Sequence, residues 1–258
     1  MIKIGARAVI RPYPNYEVIS MLTFFGRGSA FADAHNSAYL AIDGTLVLFD
    51  CPASAFPAFK QLDLASFREI CVLVTHTHGD HVGGLGNVVD YVWFVLSKIR
   101  SQETRLTVIA PSKAVAADLR CLLEDIEGCE HGWYTLTTAD AFPAPWLCRA
   151  VPTLHADQLL DKCFGYLLEV GGRHVVYTGD TRTLTSFLPL LAPGDILYTE
   201  CAMIDSGVHV HLPAVLPTLQ ALTAQGVTVY LMHLDDEDAI RAAIEGTALR
   251  LAPLIGEA

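Results

Sequence analysis

The stretch Thr75-His76-Thr77-His78-Gly79-Asp80-His81-Val82-Gly83-Gly84 packs three imidazoles and a carboxylate into six residues, directly behind the apolar run Ile70-Cys71-Val72-Leu73-Val74. A short apolar run of this kind reads as a strand buried on both faces, and its end is where a loop can carry chemistry. Alternation lets His76 and His78 point the same way, while Gly79 allows a tight turn that returns Asp80 and His81 to the same space. Neutral imidazole and carboxylate are the donors a borderline cation prefers, zinc first, with manganese or iron as alternatives.

The motif resembles that of the metallo-beta-lactamase superfamily, whose signature is His-x-His-x-Asp-His followed by a Gly-rich helix start. The similarity runs from about Met21 to Leu234 and implies further ligands downstream. His155 follows the strand-like Cys148 to Leu154, Asp180 ends Val175-Val176-Tyr177-Thr178-Gly179-Asp180, and His233 follows Val227-Thr228-Val229-Tyr230-Leu231-Met232. By this resemblance His76, His78 and His155 hold one metal ion, Asp80, His81 and His233 hold a second, and Asp180 lies between them. The resemblance also implies a four-layer αβ/βα sandwich of two similar halves, an α+β fold. Periodicity alone supports only a mixed alpha and beta protein.

Internal repetition agrees with two halves. Ala38 to Asp50 reads as a hairpin, with Asp43-Gly44 between two apolar strands, the second ending in Asp50. Gly165 to Asp180 repeats the plan around Gly171-Gly172, and its second strand ends in Asp180. Between them lie a strand at Leu106 to Ala110 and a helix from Lys113 to Ile126, with Ser112 as N-cap and Gly128 beyond its end. Asp235-Asp236-Glu237-Asp238 caps and begins a helix running to Glu245.

At 258 residues and 52 % hydrophobic content the chain suits one domain with a sizeable core. No low-complexity tract divides it. The first twenty residues read as an added strand or arm, because the usual family start falls at Met21. No apolar run reaches the length of a membrane span and no signal-peptide pattern precedes Arg11, so neither membrane nor export is expected. The seven cysteines form no Cys-x-x-Cys pair and read as buried thiols of a reducing cytoplasm. Seventeen basic against 28 acidic residues, a net charge of -11 with no basic run, disfavour extensive nucleic-acid binding. A homodimer stays open.

Two divalent ions bridged by Asp180 would share a water, lower its pKa towards 7 and hold the resulting hydroxide for attack. Asp80 would bind a metal and accept a proton. Glu200 ends the strand-like Asp195 to Thr199, and His211 stands at the entrance of a helix begun by Leu212-Pro213. The pair resembles that of the phosphodiesterase and ribonuclease Z-like branch, which implies His211 as general acid and Glu200 as its orienter, with His209 as the substitute two residues earlier. The short interval from His155 to Asp180 lacks room for the long arm with which tRNA-processing members grip tRNA. The expected substrate is a small phosphodiester such as a cyclic nucleotide. A thioester or lactone hydrolase is the alternative, and a non-catalytic metal or redox sensor is a third reading.

Overall fold

The computed structural model describes residues 21–257; the expected arm at residues 1–20 lies outside them. Two six-stranded sheets repeat one plan. In the first, β1 (Thr23–Gly26), β2 (Ser37–Ile42) and β3 (Thr45–Phe49) are antiparallel neighbours. β4 (Glu69–Leu73), β5 (Arg105–Ala110) and β6 (Thr135–Thr138) then continue parallel to β3. The second sheet does the same. β7 (Leu147–Pro152), β8 (Phe164–Val170) and β9 (Arg173–Tyr177) are antiparallel, and β10 (Ile196–Glu200), β11 (Thr228–Met232) and β12 (Arg250–Leu251) extend parallel from β9.

Turn chemistry sets the antiparallel part of each half. Asp43 and Gly44 have φ of 49° and 77°, and Gly171 and Gly172 have 59° and 75°. Positive φ at both central residues suits two-residue hairpins because its twist matches that of the strands. The parallel strands instead need crossovers, and helices supply them. Lys113–Arg120, continued by the π-helical Cys121–Ile126, begins where the Ser112 hydroxyl accepts from the Val115 N–H. Glu237–Ala243 begins where Asp236 accepts from the Ala239 N–H.

Alternation along the strands separates three apolar layers. In β4, Ile70 and Val72 join the cluster of Leu85, Val88 and Leu119, while Cys71 and Leu73 face the second sheet. In β11, Tyr230 and Met232 turn towards the first sheet, and Val229 and Leu231 pack against Leu219 and Ile240. A helical layer therefore covers the outer face of each sheet, with one core between the sheets: the four-layer α+β sandwich of the metallo-beta-lactamase fold. Tyr166, Tyr177 and Tyr198 are fully buried in the middle layer. Tyr166 donates to the Val74 carbonyl at 2.6 Å, and the Tyr177 hydroxyl accepts from Asn36 at 2.7 Å. Each ring thus brings its polar tip to a partner across the sheets, avoiding the cost of a bare buried hydroxyl.

The thiol expectation needs one correction. All seven cysteines are free, but Cys121 and Cys148 are exposed. One lies on the helical stretch after Arg120 and the other on β7, a strand at the sheet edge, where one face meets water. Among the described residues no helix is long and apolar enough to cross a membrane.

Candidate metal centre

The site is assembled at the carboxyl ends of the parallel strands, the edge where open α/β sheets habitually place their ligands. β3 and β4 are in register to their last residues, Phe49 against Leu73, so Asp50 emerges beside Thr75. The Asp50 carboxylate accepts from the Thr75 N–H at 2.7 Å and the Thr75 hydroxyl at 2.8 Å. Its second oxygen lies 2.8 Å from His81 Nδ1. One helical turn, Gly79–Val82, lifts His81 into this position, and the Cys51 N–H holds the His81 carbonyl at 2.7 Å. In the second half, Asp180 follows β9, Glu200 ends β10 and His233 follows β11. Asp50 and His233 have φ of 58° and 52°. Both lie in the left-handed region, which few non-glycine residues enter, Asp and His more readily than most.

Four overlapping groups of donor atoms result among the described residues, two of which draw in His209, one with His155 and Glu200 and one with Asp180 and His233; the remaining two are built from the motif and its downstream partners. His76, His78, His155 and Asp180 converge in one, and Asp80, His81 and His233 in the other, with all donors of each group within 4.8 Å of one another. Asp180 Oδ2 lies 3.9 Å from His76 Nε2, 3.6 Å from His155 Nε2, 3.5 Å from His81 Nε2 and 3.4 Å from His233 Nε2. It stands between the groups. His78 Nδ1 is 2.9 Å from His76 Nε2 and 3.4 Å from His155 Nε2. Donors at about 2.0–2.1 Å from a tetrahedral zinc are about 3.4 Å apart, so this spacing suits a cation between them.

Unpaired atoms point the same way. His81 Nε2 and Asp180 Oδ1 are buried without a hydrogen-bond partner, although His81 is ringed by acceptors. Buried polar atoms are rarely left so, and a cation would satisfy both. The tautomers also fit. The Val208 carbonyl can only accept, so His155 Nδ1 donates to it at 2.8 Å and Nε2 keeps its lone pair for the cluster. The Asp50 carboxylate acts likewise on His81.

Electrostatics sort these residues. Burial, reinforced by neighbouring imidazoles, holds His76, His78 and His155 below the ordinary histidine range, in the neutral form that ligates. Burial opposes ionisation of Asp180, but the surrounding imidazoles, His233 and His81 foremost, outweigh it and hold the carboxyl well below its usual range. Burial opposes ionisation of Asp80 as well, but the neighbouring imidazoles of His233 and His81 outweigh it and hold this carboxyl low. His81 moves upward: burial works against its charge, and Asp180 and Asp50 prevail. A divalent cation would supply the positive charge that these carboxylates otherwise draw from an imidazolium.

Glu200 is completely buried, yet its partner is not the residue expected. His209, not His211, has its Nδ1 2.6 Å from Glu200 Oε2, while the other oxygen accepts from the Thr181 N–H. The His209 ring lies 4.9 Å from that of His155 and 5.1 Å from that of His233, over the donor groups. His211 is bridged to Ala202, and its carbonyl accepts the first N–H groups of the helix Leu212–Ala224. The turn from extended chain into helix occupies it. Burial would lower His209, but the Glu200 hydrogen bond and charge raise it to about 9. Glu200 itself is pushed up to about 7, by burial first and then by Asp180, against the pull of His209.

Sequence reasoning assigned no role to Asp50. Its signal was the repeat, since Asp50 and Asp180 each follow the third strand of a half.

A family profile described as "Anti-Pycsar protein Apyc1" matches residues 20–250. Among curated relatives, an Anti-Pycsar protein Apyc1 of Bacillus phage vB_BveM-Goe7 is 28 % identical over 238 residues, covering 83 % of this chain and 89 % of the relative. Among solved structures, the metallo-beta-lactamase fold protein YhfI of Bacillus subtilis superposes with a TM-score of 0.66 at 18 % identity, covering 91 % of this chain and 95 % of its own. The short form of human tRNase Z superposes with a TM-score of 0.59 at 17 % identity, over 84 % and 93 % of the two chains.

Proposed function

The chain belongs to the Anti-Pycsar protein Apyc1 family, within the metallo-beta-lactamase superfamily and similar to its ribonuclease Z-like branch, and from that premise we propose that it is a metal-dependent phosphodiesterase acting on small diesters, cyclic nucleotides foremost. The observation that carries this reading is the buried Glu200–His209 pair set against the donor groups.

Two divalent cations, zinc by the donor set and manganese or iron by the same chemistry, would draw charge from the phosphoryl oxygens and activate a water when held by His76, His78 and His155 on one side, Asp80, His81 and His233 on the other, and Asp180 between. The chain's own residues do the rest. His209, kept protonated by Glu200, presents its Nε2–H to the departing oxygen and donates the proton as the P–O bond breaks. Glu200 holds His209 Nδ1 at 2.6 Å and fixes the ring, so little reorganisation accompanies transfer. Asp80, held as carboxylate, accepts the proton released by the attacking water.

The leaving group discriminates between readings. An alkoxide leaves poorly unless protonated, whereas a thiolate leaves without help, so a built acid supports the diester over the thioester. Charge argues for a small substrate. With a net charge of -11, a long polyanion meets repulsion over a Debye length of about 8–10 Å, while one diester feels chiefly the local field of the centre. The test is kcat/KM for a cyclic nucleotide, a precursor tRNA and a thioester with one metal-loaded preparation. The cyclic nucleotide is expected to exceed both; efficient tRNA cleavage overturns the size argument, and a thioester preference overturns the phosphodiesterase reading.

A further inference from the structure

Two loops anchored next to the donor residues each carry a large apolar side chain into water. Phe31 is the most exposed large hydrophobic residue among those described, and Ile204 also stands out into solvent. Phe31 tips the turn Ser29-Ala30-Phe31-Ala32-Asp33-Ala34, in which every other side chain is small. The turn is tightly closed. Gly28 donates to the Ala34 carbonyl at 3.1 Å and its carbonyl accepts from Asn36 at 2.8 Å, while a Cβ on Gly28 would meet that of Ala32 at 2.3 Å. Its anchors adjoin the donor residues. The Ser29 N–H donates to the carbonyl of Leu234, next to His233, and the His35 N–H donates to Ser54, on the segment whose Cys51 holds His81.

Ile204 lies on the loop joining Glu200 to His209. Its N–H and that of Met203 donate to the Asp235 carboxylate at 2.9 and 2.8 Å, and further along the same loop Val208 accepts from His155. The two loops therefore dock on consecutive residues, Leu234 and Asp235, immediately after His233. An isolated exposed apolar residue needs no explanation. Two of them, on loops that dock on consecutive residues beside one site, do.

We infer that Phe31 and Ile204 form an apolar clip that receives the base of a mononucleotide diester whose phosphate occupies the metal centre. The inference rests on the phosphodiesterase reading and adds to it the part of the substrate that determines selectivity. An exposed acid follows each tip, Asp33 after Phe31 and Asp205 after Ile204, so the clip repels a second phosphate and accepts an uncharged planar group. A base stacks on an aromatic face whatever its sequence identity, and loss of one such stack weakens binding by about 5-fold or more.

The test compares binding of a nucleoside 5′-monophosphate and of ribose 5-phosphate to the metal-loaded protein by calorimetry. Wild-type protein is expected to prefer the nucleotide, and Phe31→Ala to raise its Kd by about tenfold while leaving that of ribose 5-phosphate unchanged. Phe31→Trp should restore the preference, and Ile204→Ser should weaken it. Equal affinities of the wild type for the two probes, or equal losses for both in Phe31→Ala, overturn the clip. Hydrolysis of bis(4-nitrophenyl) phosphate by the same wild-type preparation judges the phosphodiesterase reading separately.

Discussion

The Asp50 carboxylate bonds Nδ1 of His81 at 2.8 Å and the Thr75 N–H at 2.7 Å, tying the end of β3 to the histidine motif that follows β4. Asp50 is no member of the donor groups. It acts through His81, turning the ring and pinning its proton on the nitrogen away from the cluster. Asp50→Ala is expected to weaken metal affinity by about 10–100-fold, the usual cost of losing such a partner. Chelator competition followed by elemental analysis measures it; unchanged affinity would refute the positioning role.

His209 and His211 should separate cleanly in kinetics. His209→Ala is expected to retain its metals and to lower kcat by about 100-fold or more on a diester with a poor leaving group. The loss should shrink for a nitrophenolate, which leaves without a proton. His211→Ala should leave catalysis near wild type. A larger loss in His211→Ala than in His209→Ala would overturn the acid role of His209.

Asp180 lies within 4 Å of ring nitrogens from both donor groups, so its removal should affect both. Asp180→Ala is expected to lose at least one of two ions per chain and most activity. Stripping wild-type protein with a chelator should lower its Tm, because His81 Nε2 and Asp180 Oδ1 then remain buried without partners. A protein that takes up no zinc, manganese or iron on reconstitution, or whose Tm ignores the chelator, contradicts the proposal.

Away from the centre, Arg27 is buried where β1, the helix Glu237–Ala243 and the C-terminal segment meet. It donates to Glu237, Glu257 and the Ala252 carbonyl. The Arg27 hydrogen bond holds Glu237 below its ordinary value, and Glu257 is held low by the Leu254 N–H and Arg27 against partial burial. Carboxyls depressed in the folded state stabilise it fully above the unfolded value of about 4.5, and that contribution disappears as pH falls through the folded value. Acid unfolding should therefore be shallower in Arg27→Met than in wild type. At neutral pH the variant should lose about 1–3 kcal/mol, mainly because the Ala252 carbonyl loses its donor. Parallel denaturant melts at pH 7 and pH 4 check both expectations, and equal acid sensitivity in the two proteins would exclude the ion-pair explanation.

What the sequence could determine by itself was whatever neighbouring residues decide among themselves. His76, His78, Asp80 and His81 share a site because strand alternation and one glycine-led turn leave them little alternative, and Asp43-Gly44 and Gly171-Gly172 close hairpins by their own backbone preferences. Duplication of that hairpin made two halves legible. Resemblance supplied His155, Asp180 and His233 as candidates, and the structure brings them to the same edge. Other relationships were created only by tertiary structure. Asp50 reaches His81 because β3 and β4 pair in parallel, a non-local choice invisible in either segment. His209 and His211 alternate identically along the chain, so pattern could not rank them; pairing of His211 with Ala202 and the start of a helix at Leu212 left His209 beside Glu200. Phe31 reads as an unremarked residue in a small-residue turn until Leu234 and Ser54 anchor that turn beside His233 and His81. Local chemistry is written in spacing, whereas which distant side chains meet depends on strand register and loop docking, set by the burial of three apolar layers at once.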